Sequence, residues 1–201
     1  MSRTIECYYS LSSPWAYFGG PRFAEIAKRH GAEIVLRPYD FLEVVPHNGG
    51  IPLRTRPQPR QDYHALELDR WRKYLDMPLN LKPKHYPPKD NKAAGRMVIA
   101  AQQRGLDAMA LSHAILKALW AEEQDIADPA TRARIAEGLG MDGKTLVAGE
   151  DSAPVVGEYR ENTETARQRG IFGAPSYVCE GILYWGQDRL FFLDRDLAGI
   201  K

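Results

Sequence analysis

Apolar positions along the chain switch between the alternating pattern of strands and the three-to-four spacing of helices. Thr4 to Leu11 (TIECYYSL) is rich in β-branched and aromatic residues and predicts a strand. Ser13 and Pro14 follow, and a helix is predicted from Pro14 to about His30, with Ser13 as N-cap and Gly31 closing it. Gly19-Gly20-Pro21 interrupts this helix and predicts a kink or a break. Ala32 to Phe41 (AEIVLRPYDF) reads as a second strand. Strand, helix and strand in this order open a parallel α/β sheet.

The pattern then turns helical. Pro46 to Arg60 reads as a long loop rich in Pro, Gly and Arg. Helical spacing follows it, with Leu68, Trp71 and Leu75 on one face. NLKPKHYPPKDN, residues 80–91, is a second loop. KAAGRMVIAAQQRG and MALSHAILKALWAEEQ are helices, the latter with a Leu111, Ile115, Leu119 ladder. Two shorter helices come next, and then a longer one ended by Gly170. PSYVCEGILYWG is two short strands joined by Glu180-Gly181, a hairpin signal, and DRLFFLDRDLAG closes the chain as a helix. The expected architecture is an α/β sheet domain from residues 1–60 and 165–201, interrupted by an all-helical insertion at 61–164.

Composition narrows the functional classes. The 201 residues carry 27 Lys and Arg against 26 Asp and Glu, a formal charge of +1, which gives no support for nucleic-acid or membrane-surface binding. The first ten residues lack an apolar stretch of signal-peptide length, and no apolar run is long enough to span a bilayer, so a soluble cytoplasmic protein is expected. Two cysteines, Cys7 and Cys179, provide no disulfide framework. The five histidines are scattered, none at a zinc-ligand spacing, and no metal is expected.

The turn after the first strand sits where thiol-redox proteins carry Cys-x-x-Cys, but its residues are Ser13, Pro14, Trp15 and Ala16. Neither Ser13 nor Ala16 can form a disulfide, which removes thiol–disulfide exchange. Taken alone, Ser13 reads as a helix cap. Three motifs in order change that reading: Leu11-Ser-Ser-Pro14, Gly170 to Gly181 (GIFGAPSYVCEG), and Tyr184 to Leu190 (YWGQDRL). Together they closely resemble the 2-hydroxychromene-2-carboxylate isomerases and the kappa-class glutathione transferases, relatives within the DsbA-type thioredoxin superfamily. The resemblance spans the chain. It implies a thioredoxin-like (DsbA-type) fold, glutathione as cofactor, and commonly a homodimer.

By that resemblance Ser13 binds the thiol of glutathione, whose thiolate is the nucleophile. Pro175 would follow a cis bond, with Ala174 offering its backbone to the cysteinyl unit. Gln187 and Asp188 would hold the γ-glutamyl end, and Arg60 the glycyl carboxylate. Arg54, Arg56 and Arg60 share one loop, so which of them binds an anion stays open, and a solvated basic loop is the bland alternative. Tyr86, with Arg54, is assigned to the pocket of a small aromatic carboxylate substrate. The implied reaction is glutathione-dependent isomerisation of 2-hydroxychromene-2-carboxylate, or a similar aromatic-degradation intermediate, to trans-o-hydroxybenzylidenepyruvate. The competing readings are a kappa-like transferase or peroxidase, and a non-catalytic thioredoxin-fold binding module.

Overall fold

The structure, a computed structural model, describes residues 3–200. Its sheet has four strands in the order β2-β1-β3-β4: β1 (Thr4–Tyr9), β2 (Glu33–Pro38), β3 (Ser176–Cys179) and β4 (Ile182–Trp185). β1 pairs parallel with β2, whereas β3 runs antiparallel to both β1 and β4. The parallel pair is joined through helix α1 (Pro14–His30), as a parallel crossover requires. The β3–β4 pair is joined by Glu180 and Gly181, both at positive φ (51° and 81°), the conformation of a tight hairpin turn.

Between β2 and β3 lie seven α-helices: α2 (Phe41–His47), α3 (Gln58–Tyr74), α4 (Lys92–Gln103), α5 (Ala108–Trp120), α6 (Pro129–Gly138), α7 (Gly143–Gly149) and α8 (Ala153–Gln168). A 3-10 turn spans Gln187–Arg189, and α9 (Leu190–Leu197) ends the fold. Among the described residues the segment between β2 and β3 contributes no strand to the sheet. The expected division at 164/165 falls inside α8.

Alternation along the strands sends side chains to two cores. Ile5, Cys7 and Tyr9 of β1, with Tyr177 and Cys179 of β3, join one large apolar cluster with Phe18, Phe23 and Ile26 of α1. That cluster runs on without a break into Met97 of α4 and Leu111, Ile115 and Leu119 of α5, so the helical block and this face of the sheet share a core. Tyr8 and Val178 point the other way, into a smaller cluster with Val44, Val45 and Ala166.

The outer edge of β2 is closed by side chains. Gln102 of α4 accepts from the Leu36 N–H at 2.9 Å and donates to the Leu36 carbonyl at 3.3 Å. Asn162 of α8 donates to the Pro38 carbonyl at 3.3 Å, and Pro38 has no N–H to satisfy.

Three expectations about elements change. α1 runs unbroken through Gly19-Gly20-Pro21. Its glycines serve close packing instead: a Cβ at Gly19 would stand 2.6 Å from the Tyr177 hydroxyl, and one at Gly20 would stand 3.2 Å from His113 Nδ1. The second strand stops at Pro38, because Asp40 caps a new helix, α2, by accepting from the N–H groups of Leu42 and Glu43. The long loop is shorter than expected, since α3 begins at Gln58 and takes Arg60 into its first turn.

Candidate active site

The turn from β1 into α1 builds the site. Ser13 has extended backbone (φ −81°, ψ 119°), and its hydroxyl accepts from the Ala16 N–H at 3.2 Å. The cap reading of Ser13 is therefore correct, and the positive end of the helix dipole lies at this residue. The same hydroxyl donates to the Ala174 carbonyl at 3.1 Å, in a buried bond across 161 residues of sequence. The Ala174–Pro175 bond is cis, the geometry the resemblance implies. The Pro175 carbonyl in turn accepts from the Gly186 N–H at 2.9 Å, which anchors the turn bearing Gln187 and Asp188. Ser13, Ala174, Pro175 and that turn thus form one bonded chain.

Asp188 caps no helix. Its carboxylate pairs with Arg189 at 2.6 Å, and its side chain is 45 % exposed. Gln187 differs from Asp188 in its exposure. Its side chain is buried, and its Oε1 accepts from Arg22. The Arg22 guanidinium also donates to the Gln187 carbonyl at 3.1 Å and lies over the Trp71 ring, 5.6 Å from its centroid. Gln187 is thus oriented away from solvent because α1 supplies a cation to hold it, which leaves Asp188 as the accessible polar side chain of the pair.

Arg54 and Arg60 are exposed, whereas Arg56 is half-buried and donates through Nε to the Ile51 carbonyl at 2.7 Å. Burial and the charge of Arg60 both lower the pKa of Arg56. Among the described residues none of the three forms an ion pair, so their charge is open to an anion. Tyr86 packs on Trp120 with ring centroids 4.7 Å apart. Burial raises its hydroxyl pKa, and the charge of Arg54 opposes the rise.

Two features of the site had no counterpart in the sequence reading. Asn91 donates to the hydroxyls of Ser10 and Ser12, at 3.1 Å each, and so ties the loop that carries Tyr86 to the turn that carries Ser13. His64 of α3 accepts at Nε2 from the Trp15 indole N–H at 3.2 Å, with the rings edge to face. Burial, aided by the charge of Arg56, pushes the His64 pKa down to about 4, so the imidazole is neutral at neutral pH. The proton of that neutral ring sits on Nδ1, because Nε2 accepts. No sequence signal marks either contact, since each joins loops or helices far apart in the chain.

Thiol chemistry from the chain itself is unfavourable. Cys7 and Cys179 are buried and unbonded, and burial raises both thiol pKa values. Among the described residues no cluster of three His, Cys, Asp or Glu side chains could hold a metal ion, and no helix is long and apolar enough to cross a membrane.

Comparison with known proteins supplies the relationship. The profile of the DSBA-like thioredoxin domain family matches residues 4–198. A 2-hydroxychromene-2-carboxylate isomerase of Sphingobium xenophagum is 32 % identical over 98 % of this chain and 99 % of its own length. A protein of Caenorhabditis elegans named glutathione S-transferase kappa 2 is 29 % identical over 94 % of this chain and 88 % of its own. Among solved structures, a 2-hydroxychromene-2-carboxylate isomerase superposes with a TM-score of 0.80 at 25 % identity, covering 98 % of this chain and 95 % of that one.

Proposed function

Because the chain belongs to the DSBA-like thioredoxin domain family, alongside curated 2-hydroxychromene-2-carboxylate isomerases, we propose that it is a glutathione-dependent isomerase. Its substrate is 2-hydroxychromene-2-carboxylate or an aromatic-degradation intermediate of that kind, and its product the trans-o-hydroxybenzylidenepyruvate. The observation that carries this reading is the buried bond between the Ser13 hydroxyl and the Ala174 carbonyl. It joins a hydroxyl donor at a helix N-terminus to the backbone that precedes Pro175, and each of these groups favours a cysteinyl thiolate.

The donor set suits glutathione group by group. When bound, glutathione supplies a thiolate that adds to a conjugated carbon of the substrate and departs after bond rotation. Ser13 turns its O–H from the Ala174 carbonyl toward the sulfur and holds the negative charge there. The Ala174 carbonyl, so released, accepts the cysteinyl N–H. Asp188 holds the α-ammonium at the far end, and Arg60 the glycyl carboxylate. Arg54 and Tyr86 face the aromatic carboxylate, the arginine pairing with its charge and the ring with its apolar face.

The test is to incubate the protein with the chromene carboxylate, with and without glutathione, and follow both product and free thiol. Isomerisation requires product formation that depends on glutathione while the thiol concentration stays constant. The named kappa transferase relative favours a second reading, in which thiol is consumed with an electrophile. No effect of glutathione in either assay overturns both.

A further inference from the structure

α1 and α3 meet along a short seam. Trp15 bonds to His64, and two helical turns further along both helices Arg22 stacks on Trp71. Both steps are seven residues, so the two helices run side by side in the same direction. The ends of the seam are functional places. Trp15 stands two residues after Ser13, and Arg22 grips Gln187 beside Asp188. Arg60 lies one turn before His64, on the same face of α3.

We propose that the Trp15–His64 hydrogen bond is a positioning link that sets the distance between Arg60 and Ser13, and so matches the site to the span from the thiol of glutathione to its glycyl carboxylate. The inference rests on the glutathione reading above and names a residue for it that touches no ligand. His64 suits the task because its ring is held neutral: a protonated imidazole has no lone pair to accept the indole N–H. A hydrocarbon at 64 would fill the space and leave the indole N–H without its acceptor. The unpaired state of Arg60 adds to the argument, since no carboxylate of the described chain fixes its side chain and the helix beneath must place it.

The experiment is calorimetric titration of the full chain with glutathione and, separately, with γ-glutamylcysteine, which lacks the glycyl carboxylate. His64→Leu and Trp15→Phe should each weaken glutathione by about tenfold, the scale of one hydrogen bond. The double variant should be no weaker than either single one, as for two residues acting through one contact. γ-Glutamylcysteine should bind the wild type and His64→Leu alike, and His64→Gln, which keeps an acceptor, should recover most of the glutathione affinity. Equal losses for both ligands, additive losses in the double variant, or unchanged glutathione affinity would each overturn the link while leaving the glutathione site in place. If the wild type binds neither ligand, the proposed function itself fails and the inference falls with it. Melting curves without ligand identify any variant that does not fold, and His64→Gln with Trp15→Phe then carry the comparison.

Discussion

The hydroxyl of Ser13 stands between two backbones, accepting from the Ala16 N–H of its own helix and donating to the Ala174 carbonyl across the sheet. One side chain thus starts α1 and fastens it to the cis-proline loop. A ligand sulfur competes for the second of these bonds only. The cap can persist while the donor hydrogen changes partner.

Ser13→Ala should accordingly lower turnover more than it lowers glutathione affinity, because other groups hold the charged ends of the ligand. The lost bond to a charged sulfur is worth roughly 1.5–3 kcal/mol, so the bound thiol pKa should rise by about one to two units. Ultraviolet titration of the bound thiolate measures it. An unchanged pKa would leave Ser13 as a cap and a loop fastener. The loss of the cap should separately cost about 1 kcal/mol of stability without ligand.

Asp188→Asn should weaken glutathione and spare the fold, since the carboxylate caps nothing and, among the described residues, its ion pair is with neighbouring Arg189. Its side chain is 45 % exposed, so the loss belongs near the low end for such pairs, about 1 kcal/mol. Melting curves with and without glutathione decide it. The ligand-free melting temperature should hold, and the increment given by saturating glutathione should shrink. Equal increments in both proteins would remove Asp188 from the site.

Gly19→Ala should destabilise the protein although alanine is the better helix former. The added Cβ would lie 2.6 Å from the Tyr177 hydroxyl and 3.0 Å from Gln187 Cβ, where α1 approaches the Asp188 turn. Overpacking of this sort costs about 1–3 kcal/mol, against a propensity gain of about 1 kcal/mol. Denaturant titration gives the net value, and a more stable variant would mean that this approach is loose.

Acid should expose the neutral state of His64. Its folded pKa of about 4 lies below the unfolded value near 6.5, so the unfolded chain binds the proton first. The native state then loses stability as pH falls from about 6.5 toward 4, by on the order of 2 kcal/mol for a half-buried group. Urea midpoints across this range should fall more steeply for the wild type than for His64→Gln. Parallel curves would show that His64 stays solvated.

Local chemistry was readable from the sequence wherever a residue acts on its own neighbourhood. Ser13, Pro14 and Gly31 mark both ends of α1, and Glu180-Gly181 marks the hairpin. α2 was missed because the apolar run around Phe41 continues that of β2, although Asp40 followed by Glu43 three residues later has capping-box spacing. No break occurs at Gly19-Gly20-Pro21, and propensity says nothing of Tyr177 and His113, which pack into the space the glycines leave. Gln187 was assigned to a ligand on the strength of its motif, but Arg22, more than 160 residues away, holds its side chain inward. The Trp15–His64 bond has no periodic or compositional signature, and only the fold brings its partners together.

The side-chain amide of Gln102 has a consequence for how this sheet meets other chains. By offering Leu36 both an acceptor and a donor, it imitates one residue of a neighbouring strand, and with Pro38 beside it β2 presents little free backbone for another chain to template on. Growth of the sheet is thereby blocked on one side, leaving β4 as the edge at which an incoming strand would have to register. Replacing that glutamine would free the N–H and carbonyl of Leu36, while Asn162, Pro38 and the body of α4 would still cover this edge.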